Sequence, residues 1–298
     1  MSIAIVRAED SYNGTKRVLE LIKNEIYEKV GGRERFLIKP NFVSTYTYLS
    51  ATPRETVEAL LEFIHSTFNV SEIIIAESPA MGSAWEGFKN YGYYELKKRF
   101  GDIEFADLDD YDYKEIELVD EYGKTFRVPI SSIILDNRYV RISPCRAKTH
   151  DTVIVTLSIK NIVVGSIRRG YKSRIHRGYY TINYAIAKIA TYIMPDLGIV
   201  DGVEAMEGNG PVAGDPKRWG VVFASINPVN LDIAVSYGMG FDPHDIGYLY
   251  LLANWGYGEL DLSKMRIVGE SLESIRTKFK PHSTYRDQLS WKRFLAMR

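Results

Sequence analysis

Short runs of Val, Ile, Leu and Phe alternate along this chain with longer stretches in which apolar residues recur every three or four positions. The runs IAIV (3–6), FLI (36–38), EIIIA (72–76), LGIV (197–200), VVFASI (221–226) and RIVG (266–269) have the length and residue types of buried strands. Residues 13–30 carry helical periodicity that stops at Gly31-Gly32. Thr52 and Pro53 supply a cap and a first helical residue for a helix to about Phe68. Asn227 and Pro228 do the same for a helix that carries Asp232 just inside its start. Alternating strands and helices predict an α/β fold, with mostly parallel sheet or sheets flanked by helices, in one lobe or in two around a cleft. In open sheets of this kind the working groups collect beyond the carboxyl ends of the strands. Four predicted strands end in polar residues: Lys39 and Asn41, Glu77 and Ser78, Asp201, and Asn227. Turns favour the same residue types, so this convergence needs support from elsewhere.

Composition narrows the class without naming a function. The 298 residues are 45% hydrophobic and 26% charged, with 38 basic against 38 acidic side chains, so no global charge points to nucleic acid or to an anionic membrane surface. The charges are unevenly placed. Residues 102–121 hold ten acids and one lysine, which reads as a solvated, strand-rich insertion over about 102–130. From Arg276 onward there are seven Lys or Arg and one Asp. This tail reads as a solvated surface, or as a contact for a polyanion or for a partner subunit in a homo-oligomer; Tyr285, Leu289 and Phe294 fall at roughly helical spacing there, which favours a docking helix. The expected division is therefore an α/β domain over 1–275 and a basic tail over 276–298. Cys145 is the single cysteine, which excludes an internal disulfide, a cysteine-based zinc site and a protein-held iron–sulfur cluster. The opening MSIAIVRAED is too short and too acidic for a signal peptide, and no apolar stretch approaches the ~20 residues of a membrane span, so a cytoplasmic protein without a membrane partner is expected.

The chemistry concentrates in KTHDTVIVTLSIKN at 148–161 and the residues after it. Apolar residues crowd both sides of Lys160, and burying an ammonium costs several kcal/mol, about, unless a partner compensates. Lys148 and Lys160 read either as snorkelling surface lysines or as desolvated amines that clamp an anion or act as base or nucleophile. His150, Lys160 and His176 fall ten and then sixteen residues apart, and the histidines add proton transfer or metal ligation. The segment DGVEAMEGNGPVAGDP at 201–216 reads as a loop of demanding geometry, either a surface Ω-loop or a ligand cradle in which Gly208 and Gly210 admit a ligand to the backbone while Asp201 and Glu207 bind a cation or pair with lysines. Its glycine spacing fits neither a dinucleotide fingerprint nor a phosphate-binding P-loop. Asp232 is either an exposed first-turn acid or a carboxylate aimed at the cleft. His65, His244 and His282 show no partner pattern.

In series, IKPN (38–41), TP (52–53), ES (77–78), KTH (148–150), LSIKN (157–161), Gly165, His176, DG (201–202), MEGNGP (206–211), Gly214 and LDIA (231–234) resemble family 362 of the domains of unknown function, over about residues 3–270. Many members of that family, which occurs in archaea and bacteria, carry cysteine-rich ferredoxin segments; this chain has none, so no iron–sulfur cluster is expected. The His150–Lys160–His176 spacing also resembles that of nickel-pincer lactate racemases. That resemblance implies a cofactor tethered to Lys160, a metal on His176 and proton transfer at His150. The second proton-moving histidine of those enzymes is replaced here by Glu77-Ser78, and their Asp/Arg element by Lys39-Pro40-Asn41.

The expected site is accordingly a cleft for a small anionic ligand or a metal-linked cofactor. Lys39, Lys148 and Lys160 supply the positive field, with His150 as general acid/base. Glu77 or Asp201 orients His150 or binds metal, His176 is the metal ligand, and Asn41, Ser78, Asn161, Glu207, Gly208, Gly210 and Asp232 contact the ligand. The same groups suit two other classes, a non-catalytic cofactor carrier or assembly factor and a structural protein with buried ion pairs.

Overall fold

The computed structural model describes residues 1–297, and every expected apolar run lies in a strand, Ile226 alone falling just outside. The chain begins with β1 (Ser2–Arg7), α1 (Ser11–Leu21), α2 (Lys23–Val30), β2 (Arg35–Ile38), α3 (Arg54–Thr67) and β3 (Glu72–Glu77). It continues with α4 (Ala84–Asn90), α5 (Tyr94–Phe100), β4 (Ile103–Asp107), β5 (Tyr113–Val119), β6 (Thr125–Ser131), β7 (Tyr139–His150) and β8 (Ile154–Thr156). Then follow α6 (Ser158–Ser166), α7 (Tyr179–Ile193), β9 (Leu197–Glu207), β10 (Asp215–Ser225), α8 (Pro228–Gly238) and α9 (Gly247–Asn254). β11 (Arg266–Gly269) and two single turns, α10 (Leu272–Ile275) and α11 (Tyr285–Gln288), close the described chain.

One nine-stranded sheet forms, in the order β11-β1-β10-β9-β7-β2-β3-β4, with the short β8 folded back on β7. Along that path only β10 runs against the others. The sheet is buried on both faces, which is why its strands read as continuous apolar runs. Alternation divides them cleanly: Ala4, Val6, Phe36, Ile38, Ile73 and Ile75 pack with α1, α2 and α3 on one face. Ile3, Ile5, Leu37, Ile74, Val221 and Phe223 pack with α6, α7, α8 and α9 on the other.

This arrangement positions the site. The connection after β2 crosses through α3 to β3 on one side; that after β7 crosses through α6 and α7 to β9 on the other side and the opposite face. The carboxyl ends of β2 and β7 therefore flank a topological switch point, where α/β sheets open a crevice.

Several local expectations are corrected. The helix over 13–30 is two helices, because Ile22 leaves the helical region at φ −120°, ψ 19° although its sequence carries no breaker. Thr52 does not cap α3; its hydroxyl accepts from Asn41 N–H at 2.8 Å and donates to the Pro144 carbonyl at 3.0 Å, tying β2 to β7. Residues 201–216 are largely not a loop. β9 runs on to Glu207 and β10 starts at Asp215, leaving only 208–214 as the connection. Of the acidic stretch, 103–107 is the edge strand of the main sheet, while β5 and β6 form a separate antiparallel hairpin.

In the tail, Phe279, Gln288 and Trp291 are buried against the rest of the chain, and Trp291 Nε1–H donates to the Asp245 carbonyl at 2.7 Å. The last tail residue, Arg298, lies outside the described residues. No helix among the described residues is long and apolar enough to cross a membrane.

Candidate functional site

The crevice holds a cavity of about 200 Å³. Of the predicted site residues, Asn41, Glu77, Ser78, His150, Lys160, Asn161 and His176 line it. They arrive from the ends of β2, β3 and β7, from the first turn of α6, and from the turn after it.

Beneath the cavity lies a closed ion pair. Lys39 Nζ donates to both Glu77 oxygens at 2.8 and 2.7 Å, to Asn161 Oδ1 at 2.9 Å and to the Pro40 carbonyl at 2.9 Å. Glu77 also accepts the N–H groups of Phe42 at 3.0 Å and Ser78 at 2.9 Å. Both side chains are essentially sealed from solvent, at 0% and 2% exposure. Burial pulls the Lys39 ammonium down from its ordinary value and Glu77 pulls it back. Asn161 locks the arrangement, its Nδ2 donating to the Lys39 carbonyl and Ser143 Oγ, each at 2.9 Å. Glu77 thus neutralises Lys39 and orders the β2 and β3 ends; no contact joins it to His150. Gly165 completes this packing, since a Cβ there would collide with Lys39 Cε and Nζ, which are already pinned. Gly165→Ala is expected to lose at least ~1–3 kcal/mol of stability by overpacking. Urea denaturation checks this, and a neutral or stabilising result would show that Lys39 can move aside.

Lys148 is buried at the same level. Its Nζ donates to Asn41 Oδ1 and, at 2.8 Å, to the Ser50 carbonyl. Burial pushes its ammonium down to about 7, with Arg146 and Lys160 pushing the same way.

Lys160 differs from both. It is 7% exposed, it lines the cavity, and no hydrogen bond or ion pair to it exists among the described residues. It is the third residue of α6, at the positive end of the helix dipole, where a cation is disfavoured. Burial pushes its ammonium down to about 8, and Lys39 adds to this while Asp151 opposes it.

Both histidines feel this amine's charge. His150 Nδ1 lies 3.1 Å from Thr152 N–H and 2.9 Å from Asp151 Oδ1, while Nε2 has no hydrogen-bond partner among the described residues. Burial, then the Lys160 charge, pull His150 down to about 3, so its ring is neutral near pH 7. Burial alone would raise the Asp151 carboxyl, but His150 and Lys160 hold it below the usual range. His176 follows the short 3₁₀ turn at Lys172–Ile175 and is exposed at the rim; its ring has no hydrogen-bond partner among the described residues. Partial desolvation and Lys160 keep it below its ordinary value.

Seven predicted ligand-binding residues do not line the cavity: Lys39 and Lys148, buried beneath it, and the five that follow. Asp201 sits mid-strand, its carboxylate accepting from Thr56 Oγ1 at 2.6 Å and from Val203 N–H at 2.9 Å. Asp232 is neither exposed nor aimed at the cleft. From α8 it caps α6, accepting from Ser158 N–H at 3.1 Å, Ser158 Oγ at 2.6 Å and Ile159 N–H at 2.9 Å, and burial pushes its carboxyl up to about 7. Glu207 is occupied by Lys217 Nζ at 3.1 Å and Lys280 N–H at 3.0 Å. Gly208 accepts from Thr149 Oγ1 at 2.9 Å and donates to the Lys280 carbonyl at 2.7 Å. Gly210 is packed so closely on Thr149 that any Cβ would collide with its carbonyl. Gly208 serves a left-handed backbone, at φ 74°, and Gly210 close packing on β7; only the neighbouring Pro211 reaches the cavity wall.

Sequence reasoning missed Lys172, Asp151 and the tail. Lys172 Nζ donates to the carbonyls of Ser78 at 2.9 Å, Val164 at 3.0 Å and Gly165 at 3.2 Å, stapling the end of α6 to β3, and burial pushes it down to about 7. It and Asp151 lie within or beside the histidine-bearing segments, so proximity in sequence was the available signal. Nothing in the tail sequence singled out Gln288. Its Nε2 donates to the His150 carbonyl at 2.9 Å and its Oε1 accepts the Ile154 N–H at 2.5 Å, holding Ile154 at a φ of 68° that β-branched residues rarely adopt.

Lys148, Lys160 and Lys172 together predict a pH dependence. Each has its folded-state value depressed, to about 7 or 8, from 10.5. Between those values the native state binds fewer protons than the unfolded chain, so stability rises with pH through that window and carries the full penalty below it. The urea midpoint is expected to increase from about pH 7 to about pH 9.5. A flat or falling profile would mean that these amines keep unseen compensating partners.

Among the described residues no three His, Cys, Asp or Glu side chains converge as a metal-binding group. A family model described as Domain of unknown function (DUF362) matches residues 36–237, from β2 to the last turn of α8. The chain belongs to this family. The DUF362 match includes every residue that lines the cavity. The chain is similar to the thylakoid-associated protein sll1697 of Synechocystis sp., with 25% identity over 257 residues, covering 82% of this chain and 76% of that protein. A solved structure of a protein from Thermotoga maritima is similar at 12% identity with a TM-score of 0.40, covering 70% of this chain; the chain spans 56% of the length of that protein.

Proposed function

We propose that the cavity of this DUF362 protein binds a small organic anion, with Lys160 as its charge partner and His150 and His176 as proton-transfer groups. The observation that carries this reading is the Lys160 amine, buried in a cavity wall with no protein acceptor. An unpaired buried cation is costly unless a ligand supplies what the protein withholds. The carboxylates at the cavity do not fill that role: Glu77 is committed to Lys39, and Asp151, although its charge favours the Lys160 ammonium, makes no hydrogen bond or ion pair with it among the described residues. A neutral imidazole at His150 and a second at His176 suit general acid/base chemistry on the bound molecule. A cytoplasmic setting belongs to this reading. The test is a series of acetate, lactate and phosphate titrations at pH 7, read by thermal shift and calorimetry. A saturable rise in Tm with at least one anion is expected. Folded protein that binds none of them would defeat the proposal.

A second reading is favoured by the His176 ring, which lacks a partner at the cavity rim. It makes the protein a carrier, or an enzyme, whose metal-bearing cofactor is tethered through Lys160, the role that the His150–Lys160–His176 spacing suggests by comparison with nickel-pincer racemases. Such a group would bring its own donors, and would need from the chain only the Lys160 amine and one imidazole. Intact mass and elemental analysis of protein from the native host decide it: an unmodified mass with no stoichiometric metal rules it out.

A further inference from the structure

Three lysines around this site, Lys39 and Lys148 buried and Lys172 half-buried, have their N–H donors accepted by the protein, and a fourth does not. Lys39 has Glu77 and Asn161, Lys148 has Asn41 and Ser50, and Lys172 has three carbonyls. Lys160, at the dipole-positive start of α6 and facing the cavity, has none. An ammonium presents three donors and no acceptor, so a site with no acceptor disfavours it relative to the neutral amine, which keeps a lone pair. Anion binding alone does not require that bias, whereas nucleophilic attack does.

A second donor set faces the same cavity. Asn41 has its Oδ1 fixed by Lys148, which turns Nδ2 the other way, and that Nδ2 has no hydrogen-bond partner among the described residues. Lys172 adds positive charge on the Ser78 side. The charged and titratable groups facing the cavity are thus Lys160, Lys172, His150, His176 and Asp151, with Glu77 neutralised from below. The remaining wall, including Phe42, Val43, Ala80 and Val164, is apolar.

We propose that Lys160 forms an imine with a small 2-oxo acid, whose carboxylate is held by Asn41 Nδ2 and the Lys172 charge. This rests on the anion-binding reading and names its substrate class. The Lys160 lone pair attacks the keto carbon, forming the C–N bond as the C=O π pair moves to oxygen. The nitrogen gives a proton to the neutral His150 ring, which passes it on to that oxygen, yielding a carbinolamine. The hydroxyl then leaves as water, protonated by a solvent proton that His176 relays at the exposed rim, while the nitrogen lone pair closes the C=N bond of a protonated imine. One solvent proton is taken up, one water is released and no electrons change hands. A depressed lysine value supports the sequence, since it raises the neutral fraction near pH 7.

The test is reductive trapping of the wild-type protein with pyruvate or glyoxylate and sodium cyanoborohydride, followed by intact mass and peptide mapping. One adduct per chain is expected, mapped to Lys160 and at least tenfold more abundant than at any exposed lysine. Lys160→Arg, which keeps the cation but cannot form an imine, should lose it. Acetate and lactate, which lack a keto group, separate the two levels of the argument. If they bind saturably but pyruvate and glyoxylate leave no adduct on Lys160, the imine is overturned and the anion site stands. If no carboxylate binds, both fall. Peptide mapping localises the adduct in the unaltered chain, so the result holds even if the arginine variant fails to fold.

Discussion

Glu77→Gln is expected to destabilise the fold by ~3–5 kcal/mol, the usual cost of removing one member of a buried ion pair. Four hydrogen bonds converge on the Glu77 carboxylate: two from the Lys39 ammonium, one to each oxygen, and one each from the Phe42 and Ser78 N–H groups. Glutamine keeps the shape but offers one acceptor and no charge, leaving Lys39 as an uncompensated cation with no access to solvent. The loss should appear in urea denaturation whether or not a ligand is present. Adding Lys39→Met should restore much of it, because removing both charges removes the desolvation penalty along with the attraction. A loss below ~1 kcal/mol would show that Lys39 has another counter-charge. Sequence reading placed Glu77 beside His150 as an orienting or metal-binding group; its geometry instead makes it the electrostatic floor of the cavity.

Lys160→Met should have the opposite signature. Methionine fills much the same volume without the ammonium, so stability is expected to rise by about 1–3 kcal/mol at pH 7. The gain should be larger at pH 6 than at pH 9, where the native wild-type amine is already mostly neutral. Binding of any anion that stabilises the wild type should fall at least ~100-fold, since its charge partner is gone. Paired titrations and denaturation curves read both effects at once. Loss of folded protein would instead assign Lys160 a structural partner, and unchanged binding in folded protein would put it outside the site.

The difference between these two lysines was not legible in the chain. Lys39 follows a strand and Lys160 begins a helix, and both sit among apolar residues. Only the arrival of β3 beside β2 gives Lys39 its carboxylate, and no hydrogen-bond acceptor among the described residues arrives for Lys160. Asp232 is a similar case. Its local context, just inside a helix after an Asn-Pro start, suggests a solvent-facing or cleft-facing acid, yet it caps α6, 74 residues earlier in the chain. No local signal marks such a cap, because the donor helix and the acceptor carboxylate meet only when α6 and α8 pack on the same face of the sheet. Asp201 and the glycines of 208–214 were misread because glycine and acid-rich composition hid the continuation of β9 and β10 as a paired ladder.

What the sequence by itself determined is six of the eleven strands, their apolar character and the resulting α/β class; β7, inside the sheet, was not among them. Those follow from local apolar periodicity, which acts over a few residues and survives any tertiary arrangement. It also marked out His150, Lys160 and His176, since a lysine amid apolar residues is anomalous without reference to any partner. Tertiary structure alone decided which charges are neutralised, which polar groups are scaffolding and where the cavity opens. Those depend on pairs separated by tens to hundreds of residues, and an electrostatic partner has no periodicity to announce it. Lys160 is a candidate reactive group because folding, having supplied acceptors to Lys39, Lys148 and Lys172, brings none to it.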